Sequence, residues 1–372
     1  MSDFDQLIDR RNSHSTKWEK YAGRDILPFW IADMDFAAPD FIRNALRERL
    51  EHPIIGYTRP PATITEAFQD WLRHHYGWSI PAEWIVWLPG VVPGMNMAAR
   101  CLTAEQRLLV PTPVYYPFLE IADNAQRRDV RVPLILDGGV WRMDLERMQS
   151  QIGGVKMVMI ANPQNPTGRA YTHTELAALA DFIDRNDLIL VSDEIHCNII
   201  LAKESEHLPI AQWQPDIANR TISLFAATKT YNIPGLGCAA AVIPDANLRE
   251  QFQAQEAGLV SGIGPLNFVA SEAAFNDKSN WLQGLLRQLR SNAAKLEALV
   301  GSRMTTVEAT YLAWINIADL GLNDVQAHFE SHGLGISDGA QFGHPDYIRF
   351  NFACPEVMLG QGLERLGHAL QG

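Results

Sequence analysis

Four short stretches of the chain carry side chains that could do chemistry. The first is LFAATKTYNIPGLG (224–237), where a single lysine, Lys229, follows an apolar run and precedes a loop of Asn, Pro and Gly. A lysine at the end of a buried strand is partly desolvated, which lowers its pKa. An amine activated in this way can form a Schiff base with an aldehyde. The second is SDEIH, which sets Asp193 just past another apolar run, with His196 three residues on. A carboxylate so close to a core needs a charged or hydrogen-bonded partner. A protonated heterocyclic nitrogen would serve, and so would a helix cap or an ion pair. The third is NPQNPTG (162–168). Its prolines bar continued strand and leave the amides of Asn162 and Asn165 at a sheet edge, as parts of a rigid turn or as donors to a ligand oxygen. The fourth is PGVVPGMNMAARCL (89–102), a glycine-bearing turn running into a helix that the pattern starts near Gly94. A helix N-terminus offers free N–H groups and the positive end of a dipole, suited to a phosphate. Taken alone, such a loop is equally a plain helix start.

Each stretch depends on the element before it. RLLV (107–110), VKMVMIA (155–161), LILVS (188–192), TISLFA (221–226) and CAAAVI (238–243) are short apolar runs that read as buried strands. TELAALADFIDRN (174–186) has helical periodicity. Apolar strands separated by helices imply an α/β fold with a mostly parallel sheet covered on both faces. In such sheets ligands sit beyond the carboxyl ends of the strands, where NPQNPTG, DEIH and TKTYN all fall. The last third reads as a smaller α+β unit. It has a long amphipathic helix at 280–300, strand-like YLAWINI (311–317), a helix at 323–332 and strand-like YIRFNFA (347–353). The N-terminal segment through LPFWIADMDFAAP is expected to pack against it. The expected division is a large unit over 40–250 and a small one from 1–39 together with 251–372.

With 372 residues the chain can bury a large core and form two domains. Its net charge of −12 disfavours a nucleic-acid or anionic-membrane partner, since both need a positive footprint. That charge does not bear on a small anionic ligand. The opening residues lack the apolar core of a signal peptide, and no apolar run approaches the roughly 18 residues of a membrane span, so a cytoplasmic location is expected. Cys101, Cys197, Cys238 and Cys354 are scattered with no CxxC spacing. They read as buried reduced thiols rather than a metal site or a catalytic cysteine.

Together, an aldehyde for Lys229, a ring nitrogen for Asp193, a ring hydroxyl for the amides and a phosphate for the helix N-terminus describe pyridoxal 5′-phosphate (PLP). The order GVVPG, PVYYPF, NPQNPTG, SDEIH, TKTYN and then an arginine in YIRFNFA resembles the fold-type I PLP enzymes of the aspartate aminotransferase superfamily, over nearly the whole chain. FWIADMDFAAP, GYTRP, GVVPG and KTYNIPGL look more narrowly like the MalY/PatB branch, known for cystathionine β-lyases.

That resemblance implies roles residue by residue. Lys229 would bind the cofactor aldehyde and act as general base at the substrate Cα. Asp193 would pair with the pyridinium nitrogen, which keeps the ring an electron sink. Asn165 would donate to the ring hydroxyl oxygen, with Asn162 close by, and His196 would tune the ring or pack under it. Tyr115 matches the aromatic that stacks on the ring, with Tyr116 as the competing choice. Val91, Val92 and Thr228 would hold the phosphate, helped by Tyr57 of GYTRP from a neighbouring subunit, which would make a homodimer with a shared site. Arg349 would clamp the substrate α-carboxylate as a bidentate partner, next to Tyr115.

The implied reaction is α,β-elimination from L-cystathionine or a related cysteine S-conjugate to a thiol, pyruvate and ammonia. A class I/II aminotransferase and a regulatory or biosynthetic relative of the same branch are the alternatives. The chain also departs from its relatives. Gly237 stands where many aminotransferases carry a phosphate-binding arginine, Ala226 where many carry a serine, and Tyr231 where the lyase branch commonly has Phe. A buried Tyr231 hydroxyl needs a partner, which the sequence does not identify.

Overall fold

The computed structural model describes residues 4–258 and 260–371. Its central sheet has seven strands: β1 (Ile85–Leu88), β2 (Arg107–Thr112), β3 (Arg128–Pro133), β4 (Val155–Ala161), β5 (Ile189–Asp193), β6 (Thr221–Phe225) and β7 (Ala239–Val242). The spatial order is β1-β7-β6-β5-β4-β2-β3. The run from β6 to β3 is parallel, and β7 lies antiparallel to both its neighbours. The apolar strands have no polar face because both faces are covered. Met157, Met159, Val191 and Leu224 turn to one side, against Met95, Ala98 and Phe118. Val158, Ile160 and Leu190 turn to the other, against Leu176, Leu179 and Ile183. This alternation is the two-residue period of the pleat.

The helices that bear on the site are α1 (Asp40–Leu50), α2 (Ala62–Tyr76), α3 (Val91–Arg100), α4 (Pro117–Asn124), α5 (His173–Arg185), α6 (Pro265–Phe275), α7 (Trp281–Val300) and α8 (Glu356–Ala369). Helix α5 starts on a capping box in which Thr172 and Glu175 satisfy each other's backbone. Helix α3 starts at Val91, three residues before the expected position. Gly94 lets α3 lie close on the sheet, because a Cβ there would come within 2.8 Å of Leu88 Cδ1.

The last third forms a three-stranded antiparallel sheet from β8 (Leu312–Asn316), β9 (Ser337–Asp338) and β10 (Tyr347–Asn351), in the order β8-β10-β9. Helix α7 buries Leu282, Leu285, Leu289 and Leu296 at helical spacing. The N-terminal segment packs here: Phe29 stacks on Phe350 at 4.4 Å, and residues 27–28 pair with 334–335. Helix α6 packs on α1 and α2, and Asn267 Nδ2 donates to Gly237 O at 2.8 Å. Helix α6 thus packs against elements that lie before residue 250.

Candidate active site

The carboxyl ends of β4, β5 and β6 deliver Asn165, Asp193 and Lys229 to one cavity of about 200 Å³. Gly90, Val91, Val92, Tyr115, His196, Thr228 and Gly237 also line it. Thus Lys229, Asp193, Asn165, His196, Tyr115, Thr228, Val91 and Val92 share one hollow although they are spread over 139 positions from Val91 to Lys229.

Lys229 Nζ donates to Ala32 O at 2.6 Å, and the same carbonyl accepts Tyr311 Oη at 3.0 Å. Desolvation, aided by the nearby Arg349 charge, lowers the Lys229 pKa to about 8. Asp193 is 5% exposed and accepts the Ile195 N–H at 3.0 Å. Burial raises its pKa to about 7. His196 stands edge-on to Tyr311 at 5.7 Å. Burial, then the charges of Lys229 and Arg349, lowers its pKa to about 3, so its ring is neutral. Its Nδ1 is buried without a partner.

Arg349 is buried on β10, over the ring of Phe342 at 4.6 Å. Its guanidinium donates to Asn165 Oδ1 at 3.1 Å and Trp30 O at 2.8 Å, while Nε has no partner. Among the described residues, no carboxylate lies within ion-pair distance of it. Desolvation lowers its pKa to about 10, and it remains a cation. The site thus holds a buried acid, a buried cation and a desolvated amine, none of them in an ion pair with another. Leaving a buried charge uncompensated is costly, which is the signature of a site built for a charged ligand.

The first turn of α3 presents its N–H groups with no side-chain cap. A Cβ at Gly237 would lie 2.3 Å from Pro89 O. A side chain at this position is therefore barred by the backbone just before α3. Thr228 is buried beside that turn. Cys238 also lines the cavity, but burial pushes its thiol up to about 12, which leaves no thiolate to act as nucleophile.

Three expected site residues do not line the cavity: Asn162, Tyr57 and Arg349, the last of which bonds to the lining residue Asn165. The side chain of Asn162 faces away from the cavity, and its Nδ2 donates to Leu208 O at 3.1 Å. Proline turns on either side of Gln164 send the two asparagines in different directions, which their shared Asn-Pro spelling does not reveal. Tyr57 is fully exposed on the loop at 52–61 and is not part of this chain's cavity. Tyr116 is exposed at 41%, whereas Tyr115 lines the hollow. The Tyr231 hydroxyl finds its partner in Asp277 Oδ2 at 3.0 Å, beyond the C-terminal end of α6.

Residues 30–36 enter the site through their backbone. Ala32 O and Trp30 O face Lys229 and Arg349. This strap is held by Asn232, which adopts φ 53° and bonds Met34 N, Met34 O and Phe36 O. Asparagine tolerates that left-handed conformation, so the Asn of TKTYN was the available signal. A buried charge cluster anchors the strap from behind. Lys17 Nζ reaches Asp35 Oδ2 at 2.6 Å, and Arg10 reaches both Asp35 and Asp33.

A mostly parallel sheet, a strand-end lysine and an unpaired carboxylate below it define a class. The chain matches the model of the family Aminotransferase class I and II over residues 24–366 and belongs to that family. Its architecture is the fold-type I transferase fold. It is 32% identical to the cystathionine beta-lyase PatB of Bacillus subtilis, over 99% of both chains. Among solved structures, that of OvoB matches with a TM-score of 0.96 at 40% identity, over 99% of both chains. The PLP-bound C-S lyase from Staphylococcus hominis matches with a TM-score of 0.93 at 31% identity, over 100% of this chain and 99% of the other.

Proposed function

We propose that the protein is a PLP-dependent carbon–sulfur β-lyase that cleaves L-cystathionine or a related cysteine S-conjugate to a thiol, pyruvate and ammonia. The observation that carries this reading is the pair of Lys229 and Asp193, not joined in an ion pair, on one cavity, with the Arg349 cation bonded to its lining residue Asn165. The resemblance to cystathionine β-lyases narrows it to elimination.

The residues present fit the cofactor. Asp193 has no cation on it and suits a protonated ring nitrogen. The uncapped turn at Val91 and Val92, with Thr228, suits a phosphate. Tyr115 borders the hollow as the aromatic wall, and His196 is a neutral ring at its floor. When bound, PLP supplies an electron sink that makes the substrate Cα proton acidic. Arg349 binds the substrate carboxylate through donors that its present partners do not use. Lys229 Nζ, neutral above about pH 8, takes the Cα proton. The strap carbonyls of Ala32 and Trp30 hold the Lys229 amine and the Arg349 guanidinium in place. A homodimer would bring the exposed Tyr57 of one copy to the phosphate end of the other, where this chain offers no arginine.

The purified protein is expected to show an absorbance band near about 420 nm, as for a lysine–PLP conjugate, which Lys229→Ala abolishes. L-cystathionine should then yield pyruvate and thiol with no keto-acid acceptor. Turnover that requires such an acceptor would make the protein an aminotransferase.

A further inference from the structure

Behind Asp193 lies a second carboxylate that the reaction above does not use. Glu194 directly follows the end of β5 and is 0% exposed. Its Oε2 meets Nε2 of the buried His207, and the same nitrogen faces Asn162 O at 3.2 Å. Both of those atoms are acceptors, so Nε2 carries the hydrogen and donates to them. The backbone locks the pair to the site. Asn162 N donates to Asp193 O at 2.9 Å, and Glu194 N donates to Leu224 O at 2.8 Å.

The other titratable groups facing this pair are few. Tyr76, at the end of α2, stands edge-on to His207 at 5.2 Å and bonds to Cys197. Asp193 and Lys229 both line the cavity, which Glu194 does not. Among the described residues, no lysine or arginine lies within ion-pair distance of Glu194; its partner is His207. Glu194 Oε1 and His207 Nδ1 have no partner. A packing role alone explains this poorly, since apolar residues of similar volume generally do as well or better than a buried charged pair. The proximity of Glu194 adds to burial in raising the proton affinity of Asp193.

We infer that Glu194, held in place by His207, is a positioning residue for Asp193: its carboxylate is a second negative charge that keeps the proton on the couple formed by Asp193 and the cofactor ring nitrogen. This rests on Asp193 being the partner of that nitrogen. The Asn162 backbone is then part of the device, which gives the first asparagine of NPQNPTG a task outside the cavity.

The test is a pH titration of holoenzyme loaded with PLP carrying 15N in the ring, read by the 15N chemical shift, which reports ring-nitrogen protonation without turnover. In E194Q the ring proton should be lost at a pH lower by about one unit or more than in the wild type. E194M, which conserves volume without a polar group to bury, carries the same expectation should E194Q not fold. H207Q keeps a donor on Glu194 and should titrate like the wild type. An unmoved titration in E194Q or E194M overturns the inference, as does a shift in H207Q as large as in E194Q. D193N separates the two readings. If D193N strips the ring proton while the Glu194 variants do not, only the role of Glu194 fails. If D193N leaves the ring protonated as in the wild type, the assignment of Asp193 itself fails.

Discussion

At the residue scale, the site is costly to the fold and useful to the ligand. Asp193 is buried with one backbone donor and no cation. Its pKa rises from 3.8 to about 7, so the folded apoprotein binds this proton more tightly than the unfolded chain. The sign follows from linkage. Above about pH 7 both states are ionised, and the full cost of burying the charge is felt. As the pH falls from about 7 towards 4, the folded state takes up the proton first and gains stability. Apo D193N lacks this titration. It should melt at a higher temperature than the apo wild type at pH 8, and the gap should close towards pH 5. Cofactor affinity should move the opposite way, with D193N the weaker binder. Calorimetry across that pH range, with and without PLP, checks both parts. A gap independent of pH would mean that Asp193 is compensated in a way its surroundings do not reveal.

At the element scale, two backbones must meet for the site to close. Strap 30–36 supplies carbonyls to Lys229 and Arg349, and its position depends on Asp35. Asp35 takes Lys17 and Arg10 as ion partners and the Trp18 indole N–H at 2.9 Å. D35A strands Lys17, which is 1% exposed, without its nearest carboxylate oxygen. Removing one partner of a buried pair costs about 3–5 kcal/mol, which urea unfolding would measure. A loss under about 1 kcal/mol would show that Asp33 and water replace it. The second meeting is between Gly237 and Pro89 O. G237A forces the α3 turn away from the lysine loop. It should weaken PLP binding by about tenfold or more, as expected when a positioned binding group moves, while the far-UV circular dichroism stays that of the wild type. Unchanged affinity would show that the turn does not hold the phosphate.

At the scale of the whole molecule, the loop at 52–61 is the part that one chain leaves unexplained. Ile54, Ile55 and Tyr57 are exposed at 68%, 56% and 112%. Runs of exposed apolar side chains mark interaction surfaces. If Tyr57 completes the site of a second copy, K229A and Y57A subunits should complement each other. Each mixed dimer has one site with both residues intact. Random mixing should then restore about a quarter of wild-type activity, since half the dimers are mixed and half their sites are whole. No recovery after subunit exchange would place Tyr57 outside the catalytic unit.

The sequence by itself determined five of the seven central strands and the placement of polar clusters at their ends, and it marked Lys229, Asp193, Asn165 and Arg349 as candidates. Buried parallel strands must be apolar throughout, and charged groups just past them stand out against that background. VKMVMIA is β4 over its full length for this reason. Strand β3 escaped notice because its burial alternates with charge in RDVRVP, and α6 because it is apolar nearly all round. Other features were decided only by tertiary structure. They include the direction in which Asn162 points, the Asp277 partner of Tyr231, the clash that bars a side chain at Gly237, and the strap carbonyls over Lys229. Each depends on where one backbone lies against another distant in the chain. Backbone carbonyls are the same in every residue, so the sequence can mark Asn232, which holds the strap, but not the carbonyls that the strap brings to the site.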